Sequence, residues 1–416
     1  MKRTTANADT KRPRAARSRT ESERHLRHQE KCGRQAARTL AGEPTDLSGL
    51  LRRLKMLGLK AQDPLHSAGI GEVYLMLTMG CNLRCRACSL WGTGGACRDA
   101  AFLKAFSRPA PLGRFLTLID ELVEFKPEYL NLSGGEPLMT RRWAPLAERA
   151  RDRGLRAILT TNGVLLERCV ERVADLFDQV SISIACPPQL RERLGMGAAG
   201  HYQAMMRGLK SLARLRDRHP RRKPVLRLMC EVFDANGEHL VELIDDLDEQ
   251  GVVFDETLFM HLIFNGPRAL AAQKKVLASE FGLPFLLWKG YGYRPCAMDF
   301  EAMARVLETL RERCPRARFS ADLRSAEDLR DYYRGRREAI GRAFCDGPWR
   351  QVNLFPNGDV WACPDFVLGN ITEQGFADIW EGPKARALRR RIYRRLFPTC
   401  RGCFSFYEKE QPMGAG

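Results

Sequence analysis

From residue 72 onward, the chain alternates between two hydrophobic patterns. Short apolar runs bounded by glycine or polar residues predict buried strands, whereas apolar residues three or four positions apart predict amphipathic helices. Six strands are expected, within residues 72–78, 128–134, 155–163, 179–185, 224–233 and 252–264. Helical patterns lie between them, and Pro127 ends the first of these helices after residues 114–125.

Six apolar strands separated by helices predict a parallel sheet that is covered on both faces. Since a closed barrel has eight strands, we expect an α/β fold with an open, partial (β/α)6 TIM-like barrel at residues 69–266. Residues 267–340 contain further helices and aromatic loops, which we expect to form a bridge or lid. Residues 341–416 are expected to form a separate small module that begins with a hairpin turning at Asn357-Gly358.

The N-terminal region has a different composition. Residues 1–40 hold 12 Lys or Arg and 4 Asp or Glu, and the whole chain of 416 residues has a net charge of +18. We expect residues 1–45 to be a disordered basic arm, and residues 46–68 to be a short helix and linker. Such an arm allows binding to nucleic acid, although a solvated tail is the favoured interpretation.

No apolar run approaches the ~18 residues of a membrane-spanning helix. The first residues also lack the apolar segment of a secretory signal. We therefore expect a cytoplasmic protein. Fourteen cysteines in such a protein favour metal or redox chemistry over a disulfide framework.

The cysteines form two groups, and the rest are scattered singly. Cys81, Cys85 and Cys88 follow the first predicted strand, at the end where βα barrels carry their active sites. Three thiolates can hold three irons of a four-iron cluster and leave the fourth iron open to a substrate or cofactor. Part of a zinc site is the alternative for this spacing alone.

A second motif makes the first one specific. The second strand ends in SGGEP, from Ser133 to Pro137. Together, the CxxxCxxC loop and this turn resemble the radical S-adenosylmethionine (SAM) superfamily. The resemblance implies a 4Fe–4S cluster held by the three cysteines and SAM, with SAM contacts at Ser133, Gly134, Gly135, Glu136, Asn162, Ser183 and Arg193.

The resemblance assigns roles to several of these residues. Glu136 is expected to accept a hydrogen bond from the amino group of SAM. Arg193 is the expected partner of the SAM carboxylate, with Arg191 as the alternative. The implied reaction is reductive cleavage of SAM to a 5′-deoxyadenosyl radical, which abstracts hydrogen from the substrate.

The C-terminal cysteines form a complete set of four thiolates. They are Cys345, Cys363, Cys400 and Cys403. The amino-acid sequence between them resembles the SPASM domain of radical SAM enzymes, in the shortened, one-cluster version called Twitch. The resemblance implies an auxiliary 4Fe–4S cluster that transfers electrons or stabilises the fold. The basic residues 384–396 offer a surface for an acidic flavodoxin or ferredoxin, with a solvated helix face as the alternative.

The sequence therefore predicts a radical SAM oxidoreductase with an auxiliary cluster as electron acceptor. Its substrate, a small molecule or a peptide, is not specified by the sequence. One alternative is a non-catalytic iron–sulfur or zinc protein that binds nucleic acid through the basic arm. Another is a redox-neutral radical SAM enzyme that modifies a peptide or lipid.

Overall fold

The structure, a computed structural model, describes residues 63, 65–67, 69–106, 108–296, 298–335 and 345–403. The basic arm expected at 1–45 and nearly all of the helix and linker expected at 46–68 lie outside these residues. The last part of the expected bridge, residues 336–340, also lies outside them.

The described residues contain ten strands in one mixed sheet. The strands are β1 Glu72–Met76, β2 Tyr129–Ser133, β3 Ala157–Thr161, β4 Gln179–Ser183, β5 Val225–Val232, β6 Glu256–His261, β7 Arg318–Ser320, β8 Gln351–Leu354, β9 Asp359–Cys363 and β10 Phe366–Asn370.

The strand order is β10-β9-β8-β1-β2-β3-β4-β5-β6-β7. Strands β1 to β7 follow one another in parallel, and β8 lies parallel to β1 at its other edge. Because β7 and β8 do not pair, the sheet stays open. The prediction of a partial TIM-like α/β barrel is confirmed, and the sheet extends beyond the six strands expected.

The additional strand β7 comes from residues 267–340, which we expected to form a bridge or lid. It has three residues, none of them buried, and pairs with β6 from Leu258 to Met260. A strand this short has no hydrophobic run, so the pattern along the chain gave no signal for it.

Helices cover the outer face of the sheet. They are α1 Ala100–Ala105, α2 Leu112–Leu122, α3 Trp143–Asp152, α4 Val170–Leu176, α5 Pro188–Arg191, α6 Ala199–Arg218, α7 Leu240–Glu249, α8 Pro267–Phe281, α9 Phe300–Arg313, α10 Ala326–Tyr333, α11 Gly347–Arg350, α12 Phe376–Trp380 and α13 Pro383–Arg394. In α7, the buried residues Leu240, Leu243, Ile244 and Leu247 recur at helical spacing and form one apolar face.

Strand β5 shows how the sheet separates its two faces. Its buried positions alternate with half-buried ones: Leu226, Leu228, Cys230 and Val232 are buried. The alternate side chains, including Arg227, Met229 and Glu231, line the interior of the barrel. The interior is therefore a partly polar cavity rather than a packed apolar core.

The C-terminal strands pair with the barrel sheet. The hairpin turn is present, with Gly358 at φ 93° between β8 and β9. However, β8 pairs with β1 in the register Glu72 to Gln351, so the hairpin continues the barrel sheet. Arg114 of α2 also donates to the carbonyl of Gln374, across 260 residues of sequence.

Candidate active site

The first cysteine group lies on the loop that follows β1. Hydrogen bonds from the backbone N–H of Arg84 to the carbonyl of Gly195 and from Arg86 to Leu194, both 2.9 Å, fix the loop against the segment after α5. The sulfur of Cys88 accepts the N–H of Trp91 at 3.4 Å. The loop is thus ordered by backbone contacts on both sides of the thiols.

These thiols influence one another. Burial raises the pKa of Cys85 to about 12, and the neighbouring Cys88 and Cys81 add to the shift. Burial also raises the pKa of Cys81 and of Cys88. Three such thiols can be ionised together only next to positive charge, which bound iron supplies.

The C-terminal cysteines come together from three separate segments of chain. Cys345, Cys363, Cys400 and Cys403 all line one cavity of about 290 Å³. Burial raises the pKa of Cys400 to about 12, with Cys403 adding to it, and it also raises the pKa of Cys345. This set has the donors of a closed four-thiolate cluster.

Both cysteine groups meet at this cavity. Cys88, Ser133 and Gly134 line it together with the four C-terminal cysteines. Among the described residues, no group of three or more His, Cys, Asp or Glu side chains could hold a single metal ion. In a four-iron cluster, by contrast, each thiolate binds a different iron.

The glycines of the SGGEP turn bring two loops together. A Cβ atom on Gly134, whose φ is 129°, would lie 2.5 Å from the carbonyl oxygen of Thr78, and one on Gly135 would lie 2.0 Å from that of Gly80. The N–H of Gly135 donates to the Thr78 carbonyl at 2.7 Å. Only glycine fits here, because the turn packs directly on the backbone that leads into Cys81.

Glu136 occupies a different environment from the one expected. Its side chain is 0% exposed. One carboxylate oxygen accepts the hydroxyl of Thr161 at 2.7 Å, and the other accepts the N–H of Asn162 at 2.9 Å. The carboxylate is thus enclosed by the end of β3, and its expected contact with the SAM amino group stays a prediction.

Asn162 lies beside the first cysteine loop. Its amide donates to the side chain of Asn82 at 2.8 Å and lies 3.9 Å from the sulfur of Cys81. Ser183 is exposed at the carboxyl end of β4. Both positions are at the edge of the sheet where the cysteine loop lies.

The two arginines considered for the SAM carboxylate differ in burial. Arg193 is exposed. Arg191 is 2% exposed, donates to the carbonyl of Met196 at 2.6 Å, and has no partner for its Nε among the described residues. Its charge also lowers the pKa of Cys85, opposing the effect of burial. Of the two arginines, Arg191 is thus the one whose charge acts on the first cysteine group.

Sequence reasoning missed two residues near these groups. Glu231 lines the barrel cavity at the carboxyl end of β5, and burial raises its pKa to about 7. Tyr291 lines the cysteine cavity, and burial raises its pKa, with the charges of Cys403 and Cys88 adding to the shift. Alternation along β5 offered a signal for Glu231, whereas no sequence pattern pointed to Tyr291.

The barrel interior forms a second, larger cavity of about 880 Å³. Its walls carry aliphatic side chains, such as Leu258 and Met260, together with charged ones, such as Arg227 and Arg311. Ser133 and Ile263 line both this cavity and the one that holds the cysteines. A substrate in the barrel would thus lie next to the cysteine loops.

Comparison with known proteins identifies the family. Residues 75–247 match the radical SAM superfamily, and residues 345–404 match SPASM, an iron–sulfur cluster-binding domain. The chain is also 30% identical to pre-heme d1 synthase of Dinoroseobacter shibae over 341 residues, which cover 79% of this chain and 77% of that protein. This chain belongs to the radical SAM superfamily.

Other relatives of this radical SAM enzyme cover less of the chain. Fe-coproporphyrin III synthase of Methanosarcina barkeri is 27% identical over 194 residues, 46% of this chain and 43% of that one. The fold is similar to that of Streptococcus suis SuiB bound to the precursor peptide SuiA, with a TM-score of 0.54 at 14% identity over 82% of this chain and 70% of that one.

Membership of the superfamily defines the cofactors. The enzyme uses SAM and a 4Fe–4S cluster, and its SPASM domain binds auxiliary iron–sulfur. The two groups of buried and half-buried thiols, joined at the cavity that Cys88 shares with the C-terminal four, fit these cofactors. Radical SAM enzymes also need a reductant and a substrate. No helix in the described part of the chain is long and apolar enough to cross a membrane.

Proposed function

We propose that this radical SAM enzyme holds its catalytic 4Fe–4S cluster on Cys81, Cys85 and Cys88 and oxidises its substrate. When bound and reduced, the cofactors supply the chemistry: SAM is cleaved to methionine and a 5′-deoxyadenosyl radical, which removes a hydrogen atom from the substrate. The observation that carries the proposal is the cavity that Cys88 shares with the four C-terminal cysteines.

Residues at the strand ends would bind and orient SAM. The guanidinium of Arg191 would pair with the SAM carboxylate, because it is buried near Cys85 and has an unused donor. Asn162, next to Cys81, and Ser183, at the end of β4, offer polar groups to the ribose and carboxylate. Ser133 and Gly134 would form the floor beside the methionine end of SAM.

The C-terminal cysteines would hold an auxiliary 4Fe–4S cluster that accepts an electron. A four-thiolate site can change charge without changing ligands, which suits it to electron transfer. Its position across one cavity from Cys88 supports a short path from the substrate. The carboxylate of Glu231, with a pKa of about 7, can hold a proton that the oxidised substrate releases.

We infer that the substrate is an iron porphyrin or its direct precursor. This rests on the relatives: the pre-heme d1 synthase and the Fe-coproporphyrin III synthase are named for such compounds as their products, and a substrate one step earlier would share the macrocycle. The barrel cavity supports it, since a porphyrin combines an apolar ring with carboxylates, and the walls combine aliphatic side chains with Arg227 and Arg311. A peptide remains the alternative that the test below must exclude.

The reductant would dock on the basic helix α13. This helix carries lysine and arginine without any acidic residue, and the chain after it leads directly to Cys400. An acidic flavodoxin or ferredoxin would be attracted to this surface, and the attraction should weaken as salt is added.

Two measurements test the proposal. Anaerobically reconstituted enzyme, reduced with dithionite, should convert SAM to 5′-deoxyadenosine, and a non-catalytic nucleic-acid-binding protein would not. Titration with Fe-coproporphyrin III should shift the porphyrin absorption band in proportion to bound protein. An unchanged band, together with faster 5′-deoxyadenosine formation on adding a peptide, would exclude the porphyrin as substrate.

A further inference from the structure

A buried carboxylate links the loop of one cysteine group to a neighbouring helix. Asp365 lies two residues after Cys363, is 1% exposed, and has a φ of 64°. Its carboxylate accepts the backbone N–H of Leu287 at 2.5 Å and that of Trp288 at 3.2 Å. These are the first two residues of a short 3-10 helix, Leu287–Tyr291.

The other end of this 3-10 helix packs on the first cysteine loop. A Cβ atom on Gly290 would lie 1.9 Å from the carbonyl oxygen of Ser89, so the two backbones are in direct contact. The phenol of Tyr291 lies near the side chain of Ser89, which lowers the pKa of the phenol and so opposes the effect of burial. Ser89 directly follows Cys88, so the helix spans from one cysteine group to the other.

Burying the carboxylate of Asp365 costs free energy, which indicates that the link has a role. The side chain of Asp365 is 1% exposed, and burying a carboxylate costs free energy that its hydrogen bonds to Leu287 and Trp288 offset only in part. A non-glycine residue with positive φ adds strain. An apolar residue would avoid the buried charge, although it would keep the strain of the positive φ. Only an acceptor, however, can hold the first N–H groups of the helix from outside.

We propose that Asp365 is a positioning residue that fixes the 3-10 helix Leu287–Tyr291 between the two cysteine sites. Loss of order at Asp365 would then also loosen the loop that follows Cys88. This inference rests on the proposed function, because the purpose of the link is to keep the distance between two metal centres constant. The contacts themselves are made by the chain alone, so they can be tested without SAM or substrate.

Hydrogen–deuterium exchange of the protein without metal is the direct test. Asp365→Asn suits this experiment because asparagine tolerates positive φ and keeps the size, but it presents an N–H₂ to one of the two donors. Exchange should become about ten- to a hundredfold faster in residues 286–292 and also in 89–97, since a charge-assisted hydrogen bond is lost. The matched control is Asp378→Asn, an exposed position that should change neither segment.

A second variant approaches the link from its other end. Tyr291→Phe removes the hydroxyl next to Ser89 and leaves the N–H groups of Leu287 and Trp288 on Asp365. Exchange should then rise in 89–97 only. Iron content after reconstitution should stay at the wild-type level in both variants, while SAM affinity should fall in both, because the cysteine loop is less ordered.

The pattern of exchange decides the result. If Asp365→Asn speeds exchange only in 286–292, Asp365 is a local helix cap and the proposal is wrong. If Tyr291→Phe leaves 89–97 unchanged, the helix does not order that loop and the proposal is also wrong. A wild-type enzyme that makes no 5′-deoxyadenosine would overturn the proposed function, but would leave these exchange results as they are.

Discussion

The carboxylate of Glu136 accepts the backbone N–H of Asn162 at 2.9 Å, and so connects the turn after β2 to the end of β3. The same carboxylate accepts the hydroxyl of Thr161. Asn162 in turn contacts Asn82 in the first cysteine loop. Glu136 therefore holds together the segments around the first cysteine loop.

Replacing Glu136 should destabilise the fold. Glu136→Gln places an N–H₂ group where one of the oxygens accepts a hydrogen bond, so the free energy of unfolding should fall by about 1–3 kcal/mol. Urea denaturation of the metal-free protein measures this, with the exposed Glu124→Gln as control. A variant of unchanged stability that binds SAM about tenfold more weakly would instead show direct contact with SAM.

The two cysteine groups should load independently. Changing Cys81, Cys85 and Cys88 to alanine should abolish SAM cleavage and leave about half of the iron, since the C-terminal set is separate. Iron and sulfide analysis measures the loss. The variant Cys314→Ala is the control, because Cys314 lies at the end of α9, outside both groups. Formation of 5′-deoxyadenosine by the triple variant would disprove the assignment.

Loss of the C-terminal cysteines should reduce formation of the oxidised product but not cleavage of SAM. Changing Cys400 and Cys403 to alanine should leave 5′-deoxyadenosine formation intact while oxidised substrate falls sharply, because the electron has no acceptor. Both products are followed by mass spectrometry, after circular dichroism shows that the variant is folded. A wild-type ratio of the two products would mean that the auxiliary site is structural.

Arg191 and Arg193 should differ in their effect on SAM binding. Arg191→Ala should weaken SAM affinity about tenfold or more, because a charge-assisted pair is lost, whereas Arg193→Ala should change it little. Isothermal titration calorimetry on reconstituted protein gives both constants. The exposed Arg193 thus serves as the matched control. Equal losses of SAM affinity in the two variants would show that the buried arginine is no more important for SAM binding than the exposed one.

His261 should make the fold sensitive to acid. It is buried, its Nδ1 lies 3.0 Å from the hydroxyl of Tyr333, and its Nε2 has no partner among the described residues. Burial lowers its pKa to about 3; the charge of Arg311 adds to this, and that of Asp322 opposes it. The unfolded chain therefore takes up the proton first, near pH 6.5, and stability is lost as the pH falls below that value.

His261→Gln should remove this loss. Between pH 6.5 and pH 5, the wild type should lose about 2 kcal/mol of unfolding free energy through this group, which the variant should retain. Denaturation at pH 7 and pH 5 measures the difference. The exposed His219→Gln is the control. If His261→Gln loses as much stability on acidification as the wild type, His261 is not the titrating group.

The parts of this protein that the sequence determined are local. The hydrophobic pattern predicted strands β1 to β6 and the helices between them, because strand and helix periods are written into neighbouring residues. The CxxxCxxC loop and the SGGEP turn indicated the superfamily and its cofactors, because each motif is contiguous and follows a predicted strand.

The tertiary structure determined which of those motifs lie close together. Pairing of β8 with β1 brings Cys88 and Cys345 to one cavity, although 257 positions separate them in the chain. The motif named Glu136 as a ligand residue, but packing of β3 encloses it. Strand order, burial and contacts such as that of Asp365 with Leu287 depend on which distant segments meet, and the periodicity of a single segment does not specify its partner.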